Sequence, residues 1–149
     1  SFHRVMDDKN KSINDKDVKR LVICSGKVFF DLFEAREKNK LFNIKILRLE
    51  QIYPFPIKSL QEFISKSPQA EIIWCQEEPE NMGSWSFIDR RLEKVLIDCN
   101  CKHKRPVYVG RPEAASPATG TMSRHLKEQK LLVNQALGLE KINTASVAK

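Results

Sequence analysis

Arg20–Lys40, RLVICSGKVFFDLFEAREKNK, decides the fold class. Its opening run, Arg20–Ser25, is apolar and rich in β-branched residues, with no polar alternation. Such a run reads as a strand buried on both faces, as strands of parallel sheets are. Gly26 ends it. From Lys27 the period changes: Val28, Phe29, Leu32, Phe33 and Arg36 recur at helical spacing, which predicts an amphipathic helix over 27–40. Strand, glycine turn and helix form the first part of a strand–helix–strand unit.

The alternation continues in both directions. Ile44–Glu50 (IKILRLE) is the next strand, and Tyr53–Pro56 (YPFP) breaks the chain. A helix follows over 57–66, with Leu60, Phe63 and Ile64 on one face. Pro68 resets the chain before a third strand, Glu71–Gln76. Ser86–Cys99 reads as a helix with Phe87, Leu92, Val95, Leu96 and Cys99 inward. Arg105–Gly110 is a fourth strand, and Arg111–Gly120 (RPEAASPATG) a loop. A last helix over 121–137 stops at Gly138, a C-cap residue. Toward the N-terminus, SFHRVM supplies an extra edge strand, and Asp7–Asp17 (DDKNKSINDKD) reads as linker. Strands alternating with helices imply a layered α/β domain with a mainly parallel sheet and right-handed connections. The domain is expected over 1–138, with 139–149 a frayed tail.

Composition excludes several classes. The chain has 149 residues, 41% hydrophobic and 30% charged, as a soluble globular protein does. No apolar run approaches the roughly 20 residues that span a bilayer, so no membrane partner is expected. The first residues lack the hydrophobic core of a secretory leader. The chain starts at Ser1 rather than at methionine, which fits a piece of something longer. Its net charge of +7 comes from Lys and Arg mixed with Glu and Asp along the whole chain. No nucleic-acid-binding signature accompanies that charge, so no nucleic-acid partner is expected. Cys24 and Cys75 lie in apolar strands, where Cys packs as a small hydrophobe. Cys99, Cys101 and His103 lack the second ligand pair of a structural zinc site, so no metal is expected.

In open α/β sheets the working surface lies beyond the carboxyl ends of the strands. Those ends carry the most unusual stretches: Cys24–Lys27, Glu50–Pro56, Gln76–Gly83 and Gly110–Gly120. Glu77 and Glu78 invite an acid–base reading. However, adjacent strand residues point to opposite faces, so they are badly placed to cooperate. They read first as a strand terminus whose carboxylates cap the next helix or meet an Arg from a neighbouring strand end. Gly83 permits close backbone approach, Ser84 stands where an N-cap would, and Trp85 reads as a packing anchor. Ser25-Gly26-Lys27 is half of a phosphate cradle, without the G-x-x-x-x-G-K-[ST] spacing. It reads first as a tight joint between strand and helix, and alternatively as an anion site with Arg111. Nucleophilic chemistry has no support: His3, His103 and His125 stand apart, and no G-x-S-x-G elbow occurs. No G-x-G-x-x-G or GDG triplet occurs either.

VICSGKVFFDL, RLEQIYPFP, WCQEEPENMGSWSF and YVGRPEAASPATG, in this order and spacing, closely resemble the C-terminal domain of 2-oxoglutarate dehydrogenases. The resemblance covers about Phe2 to Gly138. It implies a transketolase C-terminal-like fold: a three-layer α/β/α unit on a five-strand, mostly parallel sheet with one antiparallel edge strand. It also implies a parent enzyme that decarboxylates 2-oxoglutarate with thiamine diphosphate and Mg2+ and passes succinyl to the lipoyl group of a succinyltransferase component. The cofactor and catalytic residues of such enzymes lie mainly in two earlier domains. No catalytic or cofactor-binding residue is therefore assigned here, and the chain alone is expected to be inactive. Implied partners are the catalytic domains of the parent chain, a second parent copy in a homodimer, and the succinyltransferase. The compartment would be the bacterial cytoplasm, or the mitochondrial matrix in a eukaryote. One departure is Phe29-Phe30, where many relatives carry a tyrosine pair and its hydroxyls.

Two roles follow for the strand-end face. As a docking surface, with Glu77, Glu78, Asn81, Gly83 and Trp85 as its loop motif, it would expose Tyr53, Phe55 and Trp85. As a stand-alone module for an anionic nucleotide or acyl-coenzyme A, it would close a pocket lined by Ser25, Lys27 and Arg111.

Overall fold

The computed structural model describes residues 4–113 and 121–142. Five strands, β1 (Val5–Met6), β2 (Arg20–Cys24), β3 (Ile44–Leu49), β4 (Glu71–Pro79) and β5 (Val107–Arg111), form one sheet in the order β1-β3-β2-β4-β5. Strand β1 runs antiparallel to β3, and every other pair is parallel. The helices are α1 (Val28–Lys38), α2 (Ile57–Ile64), α3 (Trp85–Asp98) and α4 (Met122–Ala136). The edge strand is found at Val5–Met6; residues 2 and 3, residues 114–120 of the expected loop, and 143–149 of the expected tail lie outside the described residues.

The strands lack alternation because both faces of the sheet are covered. Leu21, Ile23, Ile72 and Trp74 face one core, shared with Leu60 and Ile64 of α2 and Ile88, Leu92 and Leu96 of α3. Val22, Cys24, Ile73 and Cys75 face the other, shared with Val28, Phe29 and Leu32 of α1 and Leu132, Val133 and Ala136 of α4. The result is the three-layer α/β/α unit. Each aliphatic side chain buried this completely contributes roughly 1.5–3 kcal/mol.

The segment read as a linker is part of this architecture. Asp8 is buried and grips the fully buried Arg36 of α1 through two hydrogen bonds, Nη1 and Nη2 each donating at 2.7 Å. The Ile46 amide also donates to Asp8, and Arg36 donates to the Ile44 carbonyl. Burial alone would disfavour the guanidinium charge, but Asp8 and then Glu37 outweigh it and raise its pKa. Asp15 accepts from Lys45 Nζ at 2.7 Å, and its carbonyl accepts from Ser67. Charged residues look like linker in a sequence, but here they pin the chain across β3.

Helix α4 runs opposite to the strands. Its C-terminal carbonyls, Gln135 and Ala136, accept at 3.0 Å from Arg20 Nη1 at the start of β2, a cation where the helix dipole favours one. Nearer its other end, Glu128 and Gln129 accept from the guanidinium of Arg111 at the end of β5. Its N-terminus therefore points toward the carboxyl edge of the sheet.

Candidate functional site

The carboxyl edge is organised by Gln76. In β4, Ile72, Trp74 and Gln76 share one face, so the amide side chain follows Trp74 into the core side and is only 3% exposed. Its Oε1 accepts from Trp74 Nε1 at 2.9 Å and from the Trp85 amide at 3.1 Å. Its Nε2 lies within donating distance of the carbonyls of Glu78, Pro79 and Met82 at 3.2, 2.9 and 2.8 Å. One side chain thus closes the loop 76–85 on itself and satisfies the first amide of α3.

This arrangement revises two expectations. Ser84 occupies the N-cap position, but its backbone is already helical (φ −96°, ψ −8°) and its hydroxyl makes no capping bond. The capping oxygen is that of Gln76, from a different element. Trp85 is 7% exposed and packs on Tyr108 at 5.7 Å between ring centroids, so it belongs to the core and not to an exposed surface. The signal for Gln76 was its phase: it continues the inward face of β4.

The carboxylates part company. Glu77 lies 3.8 Å from Lys27 Nζ at the start of α1. Glu78 is exposed, and its Oε1 lies on the Gly83 side of the loop, 3.1 Å from where a Cβ on Gly83 would stand. Lys27 is 83% exposed, so its pair with Glu77 contributes little. Asn81 is exposed at the loop tip. Gly83 has φ +69°, a left-handed conformation that glycine adopts without penalty, and its missing side chain leaves room for the Gln76 amide. Gly110 is needed for another reason: a Cβ there would come within 2.7 Å of the Gln76 carbonyl oxygen and strike the Tyr108 hydroxyl. That hydroxyl lies 2.9 Å from the Glu78 carbonyl and 2.7 Å from that of Arg111, tying the loop to β5. Burial, then nearby Glu80, pushes the Tyr108 pKa well up.

The three anion candidates are not gathered into one pocket. Ser25 and Lys27 flank Gly26 at the joint between β2 and α1. Arg111 is turned away toward α4, where Glu128 and Gln129 engage it. A cavity of about 460 Å³ lies between β5 and α4, lined by Arg111, Tyr108, Glu128 and Leu132 among others, but neither Ser25 nor Lys27 borders it. Among the described residues, no three His, Cys, Asp or Glu side chains converge as a metal would require. No chemical step is assigned to the described residues.

What the edge does present is aromatic. Tyr53, 64% exposed, meets Phe87 at a tilt, 4.3 Å between centroids; Phe55, half-buried where exposure was expected, meets the same half-buried ring edge-on, and the Arg91 guanidinium lies 3.8 Å above it.

A family model described as 2-oxoglutarate dehydrogenase C-terminal matches residues 1–137. The chain belongs to this family. Its relatives include the 2-oxoglutarate dehydrogenase E1 component of Brucella abortus (strain S19), 51% identical over 146 residues, which cover 93% of this chain and 14% of that protein. The corresponding E1 component of Brucella anthropi is 49% identical over 146 residues, covering 93% of this chain and 15% of its own length. The chain therefore spans about one seventh of the curated relatives it matches. Family and fold agree: the five-strand mixed sheet is the α/β architecture that the resemblance implied. Among the described residues, no helix is long and apolar enough to cross a membrane.

Proposed function

We propose that this chain is the docking domain of a 2-oxoglutarate dehydrogenase E1 component, and that its carboxyl edge closes onto the catalytic domains of the parent polypeptide. The parent decarboxylates 2-oxoglutarate with thiamine diphosphate and Mg2+ held by those other domains, then passes succinyl to the lipoyl group of the succinyltransferase component. It acts as a homodimer in the bacterial cytoplasm, or in the mitochondrial matrix of a eukaryote. The observation that carries this reading is the contrast at the carboxyl edge. Its loop is fixed in shape by the buried Gln76 amide, and beside it the exposed Tyr53 ring lies against the half-buried rings of Phe87 and Phe55, with the Arg91 guanidinium over Phe87. A rigid frame beside an exposed tyrosine that rests on half-buried aromatic rings suits the centre of a protein contact. A separate effector module would instead gather Ser25, Lys27 and Arg111, and Arg111 is already engaged by α4.

The test is Tyr53→Asp in the full-length parent. Truncating an aromatic anchor typically costs about 2 kcal/mol or more of contact energy. The variant should lose dimer or domain association and decarboxylase activity, while this chain alone still folds, its melting temperature lowered only by loss of the Tyr53–Phe87 contact, worth about 0.5–1.5 kcal/mol. A fully assembled, fully active variant would refute the docking role.

A further inference from the structure

Helix α4 is longer than the core it covers. All its buried residues, Leu132, Val133, Gln135 and Ala136, lie in its C-terminal half. From Met122 to Leu131, about 15 Å of helix at ~1.5 Å per residue, no side chain is buried. The apolar stripe nevertheless continues along that half. Met122, Leu126, Gln129, Val133 and Ala136 recur at alternating spacings of four and three, which places them on one face. Val133 and Ala136 cover the sheet, whereas Met122 is 71% and Leu126 is 60% exposed. Arg20 fixes the far end of the helix at the amino side of the sheet. Gln129, joined to Arg111 of β5 and Asp31 of α1, marks where the helix passes the carboxyl edge. The uncovered turns therefore stand as a wall beside the same edge that carries the aromatic patch.

The rim of this wall is cationic. Arg124, Lys127 and Lys130 are exposed; the one carboxylate on the helix, Glu128, pairs with Arg111 and Arg124. Among the described residues, Lys127 and Lys130 form no ion pair. A second copy of this +7 chain would bring like charge against like charge. The remaining six-sevenths or so of a relative's length lies outside the region this chain matches.

Resting on the docking role proposed above, we propose that the N-terminal half of α4 seats Met122 and Leu126 on an apolar patch bordered by carboxylates, in the part of the parent polypeptide outside this chain. Lys127 and Lys130 set the orientation through those carboxylates. The contact is distinct from the Tyr53 patch and stands at the other side of the same edge, so the catalytic domains are gripped at two places.

The test is site-specific photo-crosslinking in the full-length parent, with p-benzoylphenylalanine at position 126, at position 53, or at the exposed position 90 as control. Position 126 should crosslink to an Asp- or Glu-bearing peptide outside these 149 residues. Lys127→Glu combined with Lys130→Glu should abolish that crosslink and leave the one from position 53 in place. A crosslink from 126 to residues 114–120, to the same helix of a second copy, or to lipid overturns the proposal, and so does none above the position-90 background. A crosslink from 53 without one from 126 defeats this inference alone; failure at both positions defeats the docking role as well. Should the photoreactive variants fail to fold, hydrogen exchange decides: the amides of Met122–Leu131 should exchange more slowly in the parent than in this chain alone, and equal rates overturn the proposal.

Discussion

Replacing Gln76 with alanine removes the side chain that holds the strand-end loop, and the cost can be worked out bond by bond. Two buried donors, Trp74 Nε1 and the Trp85 amide, lose their acceptor. Each buried donor left unpaired costs about 1–3 kcal/mol. The carbonyls of Glu78, Pro79 and Met82 lose their donor, but they lie at a partly exposed strand end where water replaces it at little cost. The sum is about 2–6 kcal/mol, a large part of the stability of a domain this size. Urea unfolding of the chain, followed by tryptophan fluorescence, measures it directly. Gln76→Glu gives a sharper signature. One oxygen can still serve Trp74 and Trp85, but the other would face three carbonyl oxygens. An ionised carboxylate is disfavoured there, so its pKa in the fold is raised above its unfolded value of about 4.3. This variant is then most stable below that unfolded pKa and loses stability as pH rises through the raised folded value. The reasoning is refuted if Gln76→Ala unfolds within about 0.5 kcal/mol of the native chain, or if Gln76→Glu shows the same pH dependence as the native chain.

Further outcomes follow from the same contacts. Gly110→Ala should destabilise by roughly 1–3 kcal/mol, because its methyl meets the Gln76 carbonyl and the Tyr108 hydroxyl; Gly83→Ala should also destabilise, through its positive φ, and both are read by thermal melting. Asp8→Ala leaves the guanidinium of Arg36 buried without its partner and should cost about 3–5 kcal/mol, whereas the paired replacement Asp8→Leu with Arg36→Met should cost clearly less; chemical denaturation of both variants decides. Asp7 titrates below its ordinary value of 3.8: burial opposes this, but the Asp8 amide, Lys11 and Lys45 favour its charge. Its stabilising contribution is therefore present above that value and lost as pH falls through the lowered one, a loss that Asp7→Asn should remove from an acid-unfolding curve. Burial pushes the Cys24 thiol up to about 12 and raises Cys75 as well, so iodoacetamide at mild pH should modify Cys99 first and reach Cys24 and Cys75 only on unfolding.

How much could be read in advance differs between backbone and side chains. Strands β2 to β5 and the four helices were legible because apolar runs and helical spacing report burial directly. The edge strand was placed from SFHRVM, but its antiparallel direction came only with the resemblance, since two residues such as Val5-Met6 have no period of their own. The Asp8–Arg36 pair was hidden because charge normally signals solvent; the one clue was Arg36 falling in phase with Val28, Phe29 and Leu32. Gln76 was overlooked for the carboxylates beside it, although its phase with Trp74 pointed inward. Trp85 was placed both as an anchor and as part of an exposed surface, and only the packing against Tyr108 separates the two. The anion candidates shared a sheet edge in the sequence reading. That edge does not gather them, because Arg111 finds Glu128 and Gln129, partners from a helix whose approach no local pattern specifies.

The central claim is that this domain works by completing the parent enzyme and carries no chemistry itself. Reconstitution in trans tests it most directly. A parent polypeptide truncated to end before this chain is assayed for 2-oxoglutarate decarboxylation, alone and with the 149-residue chain added. The account predicts little or no activity from either part alone, recovery on mixing, and poor recovery when the added chain carries Tyr53→Asp. Full activity from the truncated parent without the chain, or turnover by the chain alone, would contradict it.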